Sequence, residues 1–315
     1  MKKFVLTLAA MIMAAGIVSA QDLATATETY NNGAEQLSLG NKEAALSSFQ
    51  EALAMGESLG DDAADLIANC KKVIPTVILS IGKELYNAKD FDGAAAKMSE
   101  AEAVAKDYGV EDVVEEVASI LPQIRLNKAM TAANNAFKAK DLASAAEGYK
   151  EVLGLDPTNG AASLRVIQCL ANLGDIDGAK SYLETAVANG QEDNAKKVLG
   201  GALLKKAAAL LKEGKSADAI TAAVEANEFA ENAQAYLVAG QAASKLAKDS
   251  DAIKYYEQYL AAAPDAKNAG AITFTVGALY QKLGNKAKAI ENYKKVADDA
   301  KFGEQAKQMI AALSK

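Results

Sequence analysis

The side chains that could carry out chemistry are lysines, carboxylates and two cysteines, because the 315-residue chain contains no histidine. Histidine is the commonest general base and a common metal ligand, so its absence removes most catalytic and metal-binding arrangements. The carboxylates are scattered in the manner of helix caps and ion pairs, and neither metal-ligand nor phosphate-loop spacing is present. We expect Cys70 and Cys169 to be buried free thiols. The sequence therefore predicts a protein that is not an enzyme and that has no metal and no cofactor.

The composition indicates an all-helical protein that does not bind nucleic acid. The net charge is −7, whereas nucleic-acid binding requires a basic surface. Half of the residues are apolar, only 6% are aromatic and tryptophan is absent. Alanine dominates the apolar set and only four prolines interrupt it, so helix is favoured almost throughout. Small side chains bury little area each, and such a chain must bring its helices into close contact.

The first twenty residues have the pattern of a secretory signal peptide. Lys2 and Lys3 precede an apolar run over residues 4–18, and Val-Ser-Ala stands before Gln21. The run is short for a membrane span, which needs roughly 20 apolar residues. We expect a signal peptide over residues 1–20 with cleavage near Ala20. The product is then exported, to the periplasm or as a secreted protein, with no stable membrane insertion after cleavage.

Seven segments share one local pattern, which consists of a turn, an alanine five residues later and a large residue four further on. The turns begin at Gly40, Lys89, Lys140, Gly174, Gly214, Ala247 and Gly284. The alanines are Ala45, Ala94, Ala145, Ala179, Ala219, Ala252 and Ala289. Four residues after each alanine stand Phe49, Met98, Tyr149, Leu183, Ala223, Tyr256 and Tyr293, of which all but Ala223 are large. Residues four apart share a helix face, so the alanine admits a neighbouring helix and the large residue fills the groove beside it.

A second column of small residues lies seven positions before each turn. Its members are Gly33, Gly82, Ala133, Ala207, Gly240 and Gly277, and Ile167 is the exception. This column predicts where the first helix of each pair lets the second helix approach. Each turn therefore joins two packed helices, and the chain is predicted to be a series of helix pairs.

The pattern resembles the tetratricopeptide repeat family. In the last segment Gly277, Tyr280, Gly284, Ala289 and Tyr293 stand in the family's spacing, and the resemblance extends from about residue 26 to the C-terminus. The family's early tryptophan is absent, and only Pro157 and Pro264 stand as repeat-ending prolines. The resemblance implies an all-α, right-handed superhelical solenoid of helix-turn-helix repeats.

The array is predicted to be uneven along the chain. Successive turns lie farther apart at its start, and the additional residues have a helical pattern that contains Pro75 and Pro122. We interpret them as lengthened first helices. The sequence thus predicts lengthened repeats over residues 22–125, regular repeats over residues 126–303 and a C-terminal capping helix over residues 304–315.

The resemblance also implies a concave groove that is lined by the first helices and binds a peptide or a partner helix. The family's groove-facing columns correspond to Lys83, Tyr86, Asn87, Asn134, Phe137, Lys138, Gln168, Asn172, Lys212, Gln241, Lys245, Phe274, Gln281 and Lys282. This set has no aspartate or glutamate. Its lysines either form a basic groove for an acidic segment or complement helix C-termini, the more ordinary role. Met130 replaces the lysine of the family's carboxylate clamp, so that clamp is not expected.

The functional hypothesis is a non-enzymatic scaffold or adaptor of the cell envelope that binds a protein or peptide. An exported glycan- or small-ligand-binding protein is the alternative, although the absence of tryptophan argues against sugar platforms. An enzyme with a lysine- or carboxylate-based site is a third class, and loss of turnover on mutation of such a residue would identify it.

Overall fold

The computed structural model describes residues 19–315, which are helical with no strand in that range. The predicted signal peptide falls almost entirely outside the described residues, so cleavage and export stay predictions. The helices are α1 (Ser19–Ser38), α2 (Lys42–Leu59), α3 (Ala64–Asn87), α4 (Phe91–Tyr108), α5 (Glu111–Lys138), α6 (Leu142–Leu155), α7 (Gly160–Leu173), α8 (Ile176–Ser181), α9 (Leu183–Ala188), α10 (Glu192–Lys212), α11 (Ser216–Phe229), α12 (Ala233–Lys245), α13 (Asp249–Ala262), α14 (Ala269–Lys282), α15 (Lys286–Lys295) and α16 (Gly303–Leu313).

Within residues 19–315 these helices form successive hairpins, α1/α2, α3/α4, α5/α6, α7 with α8 and α9, α10/α11, α12/α13 and α14/α15, followed by α16. The predicted all-α fold of helix-turn-helix repeats is confirmed. The additional residues near the start of the array are helical, as expected, since Pro75 lies inside α3 and Pro122 inside α5. Cys70 and Cys169 are buried free thiols.

Each predicted turn residue adopts a left-handed backbone conformation. The φ angles are 86° at Gly40, 64° at Lys89, 62° at Lys140, 86° at Gly174, 80° at Gly214, 55° at Ala247 and 78° at Gly284. A left-handed residue reverses the chain directly after a helix. In four hairpins the next residue then caps the second helix, and Asp175 Oδ1, for example, accepts a hydrogen bond from Gly178 N at 2.9 Å. The turn therefore fixes the register in which the two helices meet.

The alanine column lies at the contact between the helices of each pair, and every one of its members is fully buried. The glycines of the small-residue column face the large residue of the same hairpin. A Cβ atom at Gly240 would lie 2.6 Å from Tyr256 Cδ1, and one at Gly277 would lie 3.0 Å from Tyr293 Cδ1. Both predicted columns thus have the packing role expected of them.

The fourth hairpin departs from the predicted pattern. Its large residue Leu183 is only half-buried, whereas the corresponding side chains of the other hairpins are buried. The second helix is also interrupted at Tyr182, between α8 and α9. The reason is steric, because fully buried Ile167 occupies the position that holds glycine or alanine elsewhere. Two large side chains do not fit in the groove that one fills in the other hairpins.

Two compact units make up the chain, one up to Thr131 and the other from Ala132, so the division falls within α5. The core of the first unit contains bulky residues such as Ile74, Ile78 and Met98. The core of the second unit is rich in alanine around α10 to α12 and in tyrosine around α13 to α15. The predicted boundaries at residues 22–125, 126–303 and 304–315 stay predictions.

Candidate functional site

The candidate site lies on the first-helix surface of the second unit, by which we mean the exposed and half-buried side chains of α7, α10, α12, α14 and the end of α5. Eleven of the predicted groove residues lie there, from Asn134 to Lys282. The structure gathers them into two groups and leaves others apart.

The first group, which we call the arginine cluster, consists of Asn134, Phe137, Tyr149, Arg165 and Gln168. The guanidinium carbon of Arg165 lies 4.4 Å from the ring centroid of Phe137, and Nη1 donates to Gln168 Oε1 at 2.9 Å. The Phe137 ring meets the Tyr149 ring edge-on at 6.3 Å. The Tyr149 hydroxyl donates to Asn134 Oδ1 at 2.7 Å. A buried tyrosine thus connects the hydrophobic core to the polar surface.

In this cluster the Tyr149 hydroxyl stays protonated, and the positive charge of Arg165 has no carboxylate partner among the described residues. Burial raises the pKa of the Tyr149 hydroxyl, although the positive charge of Arg165 lowers it and Cys169 adds to the increase. The tyrosine therefore remains a hydrogen-bond donor to Asn134. Within residues 19–315, no carboxylate oxygen lies within the 4.0 Å ion-pair distance of the Arg165 guanidinium.

The sequence predicted four of the residues in and beside the arginine cluster, but it did not predict the charged residue Arg165. Asn134, Phe137, Gln168 and Asn172 were predicted, and they lie together, since Asn172 Nδ2 donates to the Gln168 carbonyl oxygen at 2.8 Å. Arg165 was missed because it lies outside the projected columns. Its position three residues before Gln168, on the same helix face, was the available signal.

The second group, the C-terminal cleft, joins predicted residues of α14 to side chains of α15 and α16. Its volume is about 410 Å³, and it is lined by Phe274, Ala278, Gln281, Lys282, Tyr293, Gln305 and Met309. The Phe274 and Tyr293 ring centroids are 5.1 Å apart, and the Tyr293 hydroxyl donates to Gln281 Oε1 at 2.9 Å. Burial raises the pKa of Tyr293. The contribution of α16 to this cleft was not predicted.

The predicted lysines do not form a uniformly basic surface. Lys282 Nζ lies 2.7 Å from Asp249 Oδ2. An acidic side chain therefore lies beside the predicted groove residues, although none of those residues is itself an aspartate or glutamate. Lys245 Nζ donates to the Leu211 carbonyl oxygen at the end of α10, at 3.3 Å. This contact is the helix-terminal role that sequence analysis had offered as the ordinary alternative.

The remaining predicted residues of the second unit, Lys138, Lys212 and Gln241, are exposed on α5, α10 and α12. Neither lysine has a carboxylate within ion-pair distance in the part of the chain that the structure describes. Lys138 directly follows Phe137 and so adds positive charge near the arginine cluster.

The three predicted residues of the first unit form a separate group on α3. Lys83 Nζ lies 2.5 Å from Glu116 Oε1, which is a second pairing that the sequence did not reveal. The Tyr86 hydroxyl accepts a hydrogen bond from Asn127 Nδ2 at 2.8 Å, and its ring packs against Phe91. Asn87 is exposed. These side chains are largely engaged within the unit.

The described residues offer neither a metal site built from clustered side chains nor a membrane-spanning helix. Residues 19–315 contain no cluster of three or more cysteine and acidic side chains placed to hold a metal ion. No helix between Ser19 and Leu313 combines the length and the apolarity that crossing a bilayer requires.

Similarity to known structures is broad and distant. The MamA protein is 21% identical over 57% of this chain and 94% of its own length, with a TM-score of 0.35. The P58(IPK) TPR domain is 16% identical over 92% of this chain and 97% of its own length, with a TM-score of 0.28. A tetratricopeptide repeat protein from Parabacteroides merdae is 12% identical over 94% of this chain and 100% of its own length, with a TM-score of 0.26. Among curated protein sequences, none matches this chain.

Family models identify the repeats directly. Three tetratricopeptide repeat models match residues 136–200, 204–267 and 274–298, all in the second unit. These segments contain α6 to α9, α11 to α13 and α15, most of α10 and of α14, and the last five of the seven turns described above. Tetratricopeptide repeats are therefore identified in the part of the second unit that carries Phe137, Tyr149, Arg165 and Gln168 of the arginine cluster and five of the seven residues that line the C-terminal cleft.

Proposed function

We propose that this protein is a non-enzymatic scaffold of the cell envelope that binds a protein or peptide through the first-helix surface of its second unit. The observation that carries the proposal is the arrangement of this surface. Aromatic side chains and amides are held there by bonds to buried tyrosines, as in the Tyr149–Asn134 and Tyr293–Gln281 pairs. Such groups can bury a partner's apolar side chains and satisfy its backbone polar groups at the same time.

The two groups divide these tasks between them. The C-terminal cleft offers Phe274 and Met309 as apolar walls, with the polar atoms of Gln281 and Gln305 at its edge. The arginine cluster instead offers a charge and hydrogen-bond donors. A segment that contacts both would have its apolar and polar side chains recognised at separate places, which gives specificity as well as affinity.

Site-specific photocrosslinking tests the binding proposal. A photoreactive amino acid is placed at Asn172 or Gln241, on the first-helix surface, and in matched controls at Glu184 or Lys254, which are exposed on second helices. We expect the full-length protein to crosslink the same partner from native envelope extract through the first two positions only. Equal crosslinking from all four positions, or none from any, would contradict the proposal.

Export needs its own measurement. The patterned segment over residues 1–20 supports a processed envelope protein. We expect mass spectrometry of the protein from a periplasmic or extracellular fraction to give an N-terminus at Gln21. Recovery of the unprocessed chain in the cytoplasm would contradict the proposed location in the cell envelope but not the proposed binding of a protein or peptide.

A further inference from the structure

The starting observation is that exposed leucines recur at one position of the repeat. Among the large apolar side chains that are exposed within residues 19–315, four directly precede a left-handed turn residue, namely Leu39, Leu173, Leu246 and Leu283. Single exposed leucines are common on protein surfaces. What distinguishes two of these four leucines is the charge that surrounds them.

Lysines outnumber carboxylates around the last two leucines. Each turn can be described by a window from two residues before the left-handed residue to four residues after it. In the sixth and seventh hairpins the charged residues of this window are Lys245, Lys248, Asp249, Asp251, Lys282, Lys286 and Lys288. In the first five hairpins the same windows contain, in total, more carboxylates than lysines. We call residues 245–251 and 282–288 the lysine edge, which is positive although the whole chain has a net charge of −7.

The two turns of the lysine edge lie side by side. Leu246 and Leu283 are the C-cap residues of α12 and α14. Lys282 Nζ, at the end of α14, lies 2.7 Å from Oδ2 of Asp249, the first residue of α13. This ion pair joins the seventh turn to the sixth. Because Asp249 is paired and only 11% exposed, it adds little negative charge to the surface.

Two lysines of the edge carry uncompensated charge. Lys248 and Lys286 are exposed, and neither has a carboxylate oxygen within the 4.0 Å ion-pair distance in the part of the chain that the structure describes. The exposed carboxylate of Asp251 is the nearest opposing charge in sequence. The edge therefore keeps a positive surface towards the solvent.

Two further lysines are positioned by neutral acceptors. Lys245 Nζ donates to the Leu211 carbonyl oxygen, and Lys288 Nζ donates to the Tyr280 hydroxyl, both at 3.3 Å. The same hydroxyl donates to Glu257 Oε1 at 2.8 Å, so a carboxylate stands near Lys288 but not near Lys245. These contacts hold the lysine stems against the ends of the hairpins and leave most of the positive charge in place.

The shape of the lysine edge fits a flat partner better than an extended segment. Leu246 and Leu283 lie at the ends of hairpins, and neither lines the C-terminal cleft. A segment gains most by filling a concave site with its apolar side chains. Exposed leucines surrounded by lysines instead match the surface of an anionic bilayer, where apolar side chains enter the boundary of the acyl chains and ammonium groups meet the headgroups.

We propose that the lysine edge attaches this protein reversibly to a bilayer that contains anionic phospholipid. Leu246 and Leu283 enter the interface between headgroups and acyl chains, and the lysines contact the phosphate groups. Two leucines bury little area, so the attachment depends on the charges and weakens as salt is added. This inference goes beyond the proposed binding of a protein or peptide and does not depend on it.

A polarity-sensitive fluorophore tests which part of the protein meets the bilayer. It is attached to the full-length protein at Leu283→Cys or, as a control at the same repeat position, at Leu39→Cys, since both native cysteines are buried. We expect vesicles of phosphatidylcholine and phosphatidylglycerol in equal amounts to blue-shift the emission at residue 283 alone. Vesicles of phosphatidylcholine should shift neither label. This comparison removes any contribution of the apolar residues 4–18, because their partitioning does not require anionic lipid.

Charge variants measure the contribution of the lysines. In the protein labelled at residue 283, Lys248→Gln combined with Lys286→Gln should weaken vesicle binding about tenfold or more, since each lysine near an anionic surface contributes a factor of about five. Lys205→Gln combined with Lys206→Gln removes two exposed lysines from α10 and should leave binding unchanged. Thermal unfolding of each variant verifies the fold.

An unlabelled variant tests the leucines. Leu246→Gln combined with Leu283→Gln should reduce co-sedimentation with the phosphatidylglycerol vesicles. Equal binding by the two lysine double variants, or equal emission shifts at residues 39 and 283, would overturn the inference. An equal shift with soluble poly-L-glutamate would also overturn it, because the lysine edge would then recognise acidic protein rather than a lipid surface.

Discussion

The two units fill the same packing position with different chemistry. This position of the second helix holds Phe49 or Met98 in the first unit, whereas in the second unit it holds a tyrosine in three of five hairpins (Tyr149, Tyr256 and Tyr293) and Leu183 or Ala223 in the other two. The apolar side chains end within the core. The tyrosine hydroxyls bond instead to side chains of the first helices: they donate to Asn134 and Gln281 and accept from Ser244.

The difference shows how a core position can organise a surface. In the first hairpin, which contains Phe49, the positions that correspond to Asn134 and Gln281 are Ala34 and Leu37, which have no polar group to receive a hydroxyl. In the second unit the tyrosine both fills the groove and restrains a polar side chain on the proposed binding face. Packing and recognition therefore share residues in one unit and are separate in the other.

The largest effect is expected when a ring of the second unit is removed. Tyr293→Ala should lower the free energy of unfolding by about 3–5 kcal/mol, because it leaves a cavity opposite Gly277. Tyr293→Phe removes only the bond to Gln281 and should cost about 0.5–1.5 kcal/mol. Urea denaturation followed by circular dichroism measures both values. Equal losses for the two variants would show that the hydroxyl, not the ring, dominates.

A smaller loss is expected from closing the groove in front of a tyrosine. Gly240→Ala places a Cβ atom 2.6 Å from Tyr256 Cδ1 and should cost about 1–3 kcal/mol. Gly201→Ala is the matched control, since it lies inside α10 with open space around it and should gain about 0.5–1 kcal/mol. Thermal unfolding midpoints should move in opposite directions. A stabilised Gly240→Ala variant would contradict the packing role of the column.

A tyrosine hydroxyl can be introduced into the first unit at the position that holds tyrosine in three hairpins of the second unit. Phe49→Tyr should cost about 1–2 kcal/mol, because the new hydroxyl is buried among side chains such as Ala34 and Leu37. Adding Leu37→Gln should recover part of the loss, as a double-mutant cycle in urea would show. If Phe49→Tyr alone were neutral, the contrast between the two units would not depend on the hydroxyl's partner.

The smallest effect concerns the turn that both units share. Ala247 has a φ of 55°, in the left-handed region, whereas Gly284 makes the corresponding turn with a φ of 78°. Ala247→Gly should raise stability by about 0.5–1 kcal/mol, and Gly284→Ala should lower it by about 1 kcal/mol. Differential scanning calorimetry resolves both changes. A destabilised Ala247→Gly variant would show that the turn tolerates a Cβ atom without strain.

The sequence predicted the hairpins because their signals are local. Ala289 and Tyr293 lie four residues apart, and their turn begins at Gly284, so one short stretch determines both the reversal and the packed face. It did not predict the break at Tyr182. Ile167 and Leu183 are both large and apolar, and only three-dimensional packing decides which of them is buried.

The candidate site was predicted in part for a similar reason. Projection onto helix columns found Asn134, Phe137 and Gln168, since each lies on a predictable helix face. It missed Arg165 and the Lys282–Asp249 pair, because these contacts depend on side-chain conformations and on how one helix packs against another. The position of a residue within the repeat indicates which face of the helix it occupies, but not which charged side chains lie beside it.

The left-handed turns have a consequence for how such a chain can change in length. The turn inside each hairpin is short, as at residues 88–90 and 283–285, whereas the segments between hairpins vary in length from residues 109–110 to residues 263–268. The length of the chain can therefore differ outside the turns, either between hairpins or within a first helix such as α3 or α5, without a change in the turn itself. Each hairpin is a structural unit whose geometry is set by its own turn, so a whole hairpin could be duplicated or deleted while the other hairpins keep their internal geometry.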